Sequence, residues 1–255
     1  MDFSYLTDDS HNSLTPFFMP RVLFNTYTIV CIIGGFSLLI WPRKSASFLI
    51  TENIIPNHFF IISLIALAAL SFINLYCGRG EFLKSEYFSS IGKEADLFET
   101  ERNFITYGLV GFLIHTIFLF LPFLPILILS ASISSVAFND FILVISIIFL
   151  GSLFCRMFGF TTYLIWGWWK TMGYLISIML GLFYLFISKL LYSELNPIWM
   201  LYIIHNSVDY PRDVLMKYYW FHVSITICGI LLFILFNSVL VNYLIKRRES
   251  IESFS

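Results

Sequence analysis

Six stretches of this chain run for about twenty residues each without an Asp or Glu. That feature restricts the fold more than any motif. A helix needs about 20 mainly apolar residues to cross a hydrocarbon core of about 30 Å. The stretches are Val22–Trp41, His58–Cys77, Phe104–Leu129, Phe141–Gly159, Thr171–Tyr192 and Tyr218–Leu244. They predict an all-α, polytopic membrane protein with six transmembrane helices. A short segment (1–21) precedes the six-helix domain (22–244), and a tail (245–255) follows it. Composition agrees: 58% of the residues are hydrophobic and 12% charged, against about 25% charged in a soluble domain. Such a chain is too apolar for intrinsic disorder. Its 15 basic and 16 acidic residues give no basic surface for nucleic acid.

The few charges near the spans predict sidedness. Lys246-Arg247-Arg248 follow the last span directly, and basic flanks of this kind stay cytoplasmic. Six spans then place both termini in the cytoplasm of a cell-membrane protein. Met1–Pro20 has no basic residue, so it lacks the basic start of a signal peptide, and the first span is expected to be retained. Pro122 and Pro125 predict a kink in the third span, because each removes a backbone donor.

The longest polar segment, Gly78–Asn103, falls between spans two and three. Its apolar residues, including Phe82, Leu83, Tyr87, Phe88 and Ile91, recur at helical spacing. They predict amphipathic helices on the cytoplasmic surface. Between spans five and six, Pro197–Ile204 is apolar but too short to cross. An interfacial or re-entrant helix is predicted there, with Asn206–Arg212 as a turn. Trp166, Trp168, Trp169 and Lys170 suit an anchor at the inner headgroup level. Arg156 lies about 22 Å along its helix from Phe141 at 1.5 Å per residue. It is therefore expected to join that inner-interface anchor by snorkelling.

Chemistry is sparse. The four cysteines, Cys31, Cys77, Cys155 and Cys228, form no C-x-x-C pair. No two of the five histidines sit at i and i+4, and there is neither a nucleophile elbow nor a phosphate-binding loop. No catalytic residue, metal site or bound cofactor is predicted. The spans also lack the carboxylates that ion-coupled carriers place in the membrane. Transport by this chain would therefore draw energy from a partner.

In layout the chain resembles the permease subunit of type-2 ATP-binding-cassette (ABC) transporters, of the exporter kind. Six spans, the long segment between spans two and three, and the basic tail carry the likeness. Thr100-Glu101-Arg102 stands where the family has a Gly-Glu-Arg-like element, lacking its Gly. Asn196-Pro197 and Tyr219-Trp220-Phe221-His222 resemble the family's outer segment. The acidic start of the chain departs from the family's basic amphipathic helix. The resemblance implies a translocation subunit, not an enzyme. It would pair with a second permease subunit in the bilayer, as a homo- or heterodimer, and dock a separate ABC ATPase that uses ATP and Mg. Coupling would run through segment 78–103, with Phe82, Tyr87, Phe88, Glu99, Glu101 and Arg102 as contact residues. Asn196, Pro197 and Trp199 would belong to an outer gate. Two other classes stay open from the residues: a membrane assembly or scaffold protein, and a lipid-modifying enzyme using His115, His222 and Arg156.

Overall fold

A computed structural model describes residues 27–35, 56–80, 109–166, 170–187, 193, 196–206 and 210–252. Every regular element among them is helical. In chain order they are α1 (27–35), α2 (Pro56–Gly80), α3 (Leu109–Phe120), α4 (Leu124–Ile133), α5 (Phe138–Trp166), α6 (Lys170–Leu182), α7 (Pro197–His205) and α8 (Arg212–Glu252). Four stretches are long and apolar enough to cross a membrane: His58–Cys77, Phe112–Ile133, Phe138–Thr162 and Arg212–Leu240. These match the second, third, fourth and sixth expected spans. Helix 27–35 and the shorter apolar helix Leu175–Phe186 fall inside the first and fifth. The rest of the first expected span lies outside the described residues. So do segment 81–108, with Phe82, Tyr87, Phe88, Glu99, Glu101 and Arg102, and also Trp168 and Trp169.

Pro122 and Pro125 do interrupt the third span. Between α3 and α4 the chain tightens into a 3₁₀ turn at Leu121–Phe123, with a proline in the first turn of both the 3₁₀ segment and α4. The Leu124 N–H donates to the Leu121 carbonyl. The shorter hydrogen-bond step lets the helix continue past two residues that cannot donate.

Helix α5 is the hub, packed on α2 along most of its length and also on α3, α6, α7 and α8. In a bilayer, helices associate through close packing rather than through flight from water. Small residues make this possible. A Cβ on Gly159 would lie 2.3 Å from the Leu75 carbonyl oxygen, so the backbones of α5 and α2 touch there. A Cβ on Gly151 would stand 3.2 Å from Leu67. Leu67, Leu70, Ile147 and Ile148 are fully buried around this seam. Helix α8 lies at the edge, with Leu231, Leu232, Leu235 and Val239 exposed on its outer side.

The turn between α4 and α5 is short because it closes on itself. Val136 N–H reaches back to Ala131 O at 3.0 Å and Ser135 N–H to Ser132 O at 3.3 Å. Ser135 takes φ 51°. This is a Schellman motif with serine where glycine is usual.

Candidate functional site

Two clusters of polar side chains lie at opposite ends of the bundle. At one end, three helices meet on Arg156 of α5. Its side chain is fully buried. Arg156 Nη1 donates to Asn74 Oδ1 of α2 at 3.1 Å. The same oxygen faces Thr116 Oγ1 of α3 at 3.2 Å. Thr116 shares its single proton with the Phe112 carbonyl at 2.8 Å. Asn74 Nδ2 donates to Leu70 O at 2.9 Å, which fixes which way its amide points. The guanidinium carbon also lies 5.3 Å from the centre of the Phe112 ring, a cation–π distance.

This corrects one expectation. Arg156 does not snorkel to the headgroups but turns inward to bind two neighbouring helices. The physical reason is local. Gly159, three residues on, brings α2 so close that Asn74 is within reach of the guanidinium. A side-chain amide there replaces part of the hydration that the charge would otherwise seek outside. Asn74 and Thr116 are the residues that sequence reading missed. Their signal was a polar residue near the same end of each of three apolar spans.

The opposite end holds a second set. His58 Nδ1 lies 2.7 Å from Ser130 Oγ, joining the start of α2 to α4. Ser134 Oγ accepts from the Phe59 N–H at 3.0 Å, satisfying an amide in the first turns of α2. Asp140, in the first turn of α5, lies 3.6 Å from Arg212 at the start of α8. A cavity of about 290 Å³ opens here, bounded by Phe59, Phe60 and Ser63 of α2, Ser134 to Ala137, Asp140 and Val144 of α5, and Leu201, Ile204 and His205 of α7.

Helix α7 seals this end. Asn196 caps it, its Oδ1 accepting from Trp199 N–H at 2.9 Å, with Pro197 in the first turn. Asn196 Nδ2 also donates to Leu185 O at 2.9 Å. Leu185 belongs to a π-helical turn, Phe183–Ile187, that continues α6. The side chain therefore ties α7 to the widened end of the preceding helix. Helix α7 is about 13 Å long at 1.5 Å per residue, and it packs on α2, α5 and α8. Pro197, Met200, Leu201, Ile203 and Ile204 are buried, and Trp199 stacks on Tyr202 at 5.3 Å. His205 stacks on Phe60 at 5.0 Å, and burial lowers its pKa below the usual 6.5.

Asn196, Pro197 and Trp199 thus come together in one cap, some distance along the chain from Arg156. Trp166 ends α5 and Lys170 begins α6. His222 is buried in α8. Among the described residues no group of three His, Cys, Asp or Glu could hold a metal ion. A second cavity, about 270 Å³, lies between α5, α6 and α8, lined mainly by apolar groups such as Phe154, Phe158, Phe183 and Phe233. No protein-family model, curated protein or solved structure matches the chain.

Proposed function

We propose that this chain is the transmembrane subunit of an ATP-driven export system of the type-2 ABC kind, working beside a second permease subunit. A separate ATPase would supply the energy, docking on segment 78–103. The observation that carries this reading is the Arg156–Asn74–Thr116 network. Asn74 lies in the last turns of α2 and Thr116 in the first turns of α3, so the two residues flank the proposed docking segment. Arg156 joins both to the hub helix. A push on that segment would act on helices already clamped to the centre of the bundle. Movement of packed helices between two discrete arrangements is how such a push becomes a transmembrane rearrangement. The cap at Asn196 would lie on the far, outer side, where cargo leaves.

The test is recovery from native membranes in mild detergent, followed by reconstitution. The expected result is co-purification of an ABC ATPase whose hydrolysis depends on this chain. Glu101→Lys with Arg102→Glu should uncouple hydrolysis from transport while leaving the chain folded. Recovery of the chain as an active unit with no ATPase would overturn the proposal. ATP-dependent transport unchanged by the two charge reversals would remove those residues from the coupling role.

A further inference from the structure

The cavity between α5, α6 and α8 has no part in the export reading, and it differs in kind from the polar one at the end of the bundle. Its volume is about 270 Å³, and aromatic rings frame it. Phe154 of α5 stacks on Tyr184 at 4.8 Å and meets Phe233 of α8 edge-on at 5.4 Å, while Phe158 meets Phe233 at 5.5 Å. A Cβ on Gly229 of α8 would lie 2.9 Å from Phe154 Cε2, so the ring rests on bare backbone there. Thr226, the polar residue on the α8 wall, donates its hydroxyl proton to His222 O within its own helix at 2.8 Å. The wall therefore offers water little to bind. Phe183 and Tyr184, also in the wall, belong to the π-helical turn Phe183–Ile187. Such turns are rare and are found frequently at functional sites.

Position decides what lies in front of the opening. Phe154 and Phe158 fall within the apolar run Phe138–Thr162, Ile225 and Phe233 within Arg212–Leu240, and Leu180 and Tyr184 within Leu175–Phe186. Phe154 stands eight residues before Thr162, or about 12 Å at 1.5 Å per residue. The cavity is thus at the depth of hydrocarbon rather than of headgroups. It is also open to that side. Among the described residues, α6 and α8 each pack on α5 but make no substantial contact with each other. The lining ring of Phe183 is exposed, and Phe154, Phe158, Leu180, Ile225 and Phe233 are only half-buried.

From these features we propose that the cavity is a binding site for one acyl chain of a membrane lipid, which enters sideways between α6 and α8. Protein interiors are close-packed, and a dry apolar cavity of about 150 Å³ already takes up benzene. A larger one that faces hydrocarbon gains dispersion contacts along its whole wall when methylenes fill it. Other occupants fit less well. A helix with its side chains is about 10–12 Å across, too thick for this space, so a second copy of the chain could insert only a side chain. A lipid headgroup would lose its hydration at this depth and find little to hydrogen-bond in exchange. The inference does not rest on the export reading: an acyl chain held here is a property of the bundle whatever the bundle transports.

The full chain is reconstituted in phosphatidylcholine vesicles that include a minor share of phosphatidylcholine with a diazirine near the middle of one acyl chain. After irradiation, the labelled residues are mapped by mass spectrometry. Exposed Leu231 and Leu232 of α8 set the level for open lipid contact, and fully buried Ile147 and Ile148 of α5 set the background. Phe154 and Phe158 should label at the level of Leu231 and Leu232. Ile225→Trp, which fills the cavity from its α8 wall, should lower the labelling of Phe154 and Phe158 several-fold and leave Leu231 and Leu232 unchanged. Labelling of Phe154 and Phe158 at the background of Ile147 and Ile148 overturns the proposal, because the cavity is then empty or filled by protein, a second copy included. Undiminished labelling in Ile225→Trp overturns it as well. If Ile225→Trp does not fold, Leu180→Phe fills the space from α6, and the wild-type contrast still decides. ATPase co-purification plays no part in this readout, so the two proposals fail separately.

Discussion

Gly159→Ala tests the central packing contact and the Arg156 network together. The added methyl would stand 2.3 Å from the Leu75 carbonyl oxygen, 3.0 Å from its carbon and 3.2 Å from Leu75 Cα. A carbon facing a carbonyl oxygen settles at about 3.3–3.6 Å. The obstacle is backbone rather than a flexible side chain, so α2 and α5 must part by about 1 Å. Arg156 and Asn74 are near neighbours of that contact. Their hydrogen bond, now 3.1 Å, would stretch to roughly 4 Å, beyond hydrogen-bonding range. Overpacking costs about 1–3 kcal/mol, and loss of a hydrogen bond to a charged group costs about 1.5–3 kcal/mol. Higher helix propensity of alanine returns at most about 1 kcal/mol. The net expectation is a loss of about 1.5–5 kcal/mol, or a melting temperature lower by roughly 3–20 °C for a chain of this size. The assay is thermal unfolding in detergent, with Gly181→Ala as control. There the new methyl meets only side chains, Leu75 at 3.4 Å and Phe72 at 3.6 Å, an ordinary contact distance. Equal melting of the two variants would refute the claim that the helix backbones touch at Gly159.

Other substitutions give separable outcomes. Asn74→Leu removes the amide oxygen that accepts from Arg156 and should cost about 1.5–3 kcal/mol, whereas Arg156→Met removes the buried charge itself and should cost less; equal losses in chemical unfolding would contradict this. Asn196→Ala removes a helix cap worth about 1 kcal/mol, and faster amide exchange across α7 and the π turn should report it. Ser135→Gly relieves a left-handed backbone (φ 51°) and should raise stability by about 1 kcal/mol, with the opposite sign for Ser135→Val. His205 has a lowered pKa when folded, so the unfolded chain binds the extra proton first. Stability should be full above about pH 6.5 and fall as the pH drops below it toward the lowered value. A His205→Gln variant should flatten that slope in melting curves taken between pH 8 and pH 5.

Much of the architecture follows from hydropathy alone. The expected span His58–Cys77 is also the apolar stretch found in α2, and the expected helix at Pro197–Ile204 extends by one residue to His205. Of the turn expected at Asn206–Arg212, residues 207–209 lie outside the described residues and Arg212 already belongs to α8, where the Pro211 carbonyl accepts from the Val214 and Leu215 N–H groups. Length and charge suffice for these features, because hydrocarbon thickness sets helix length whatever the neighbours are. The proline signal in the third span was equally local: each missing donor acts on its own turn.

Rotation about a helix axis is different. In a soluble helix the polar stripe reveals the outward face. Here the outward face meets lipid and is as apolar as the inward one: Leu231 and Leu232 are exposed, whereas Ile147 and Ile148 are fully buried, with nothing in residue type to separate them. Counting residues therefore located Arg156 along its helix but could not say which way it points. The partner that decides its direction, Asn74, is 82 residues away in sequence. What the chain does offer is depth. Asn74, Thr116 and Arg156 each interrupt an apolar run within a few residues of the end that the three helices share. In a medium that cannot solvate them, polar groups at one depth on adjacent helices gain by finding each other. Matching the depths of isolated polar residues across spans therefore pairs helices where hydropathy alone gives no direction.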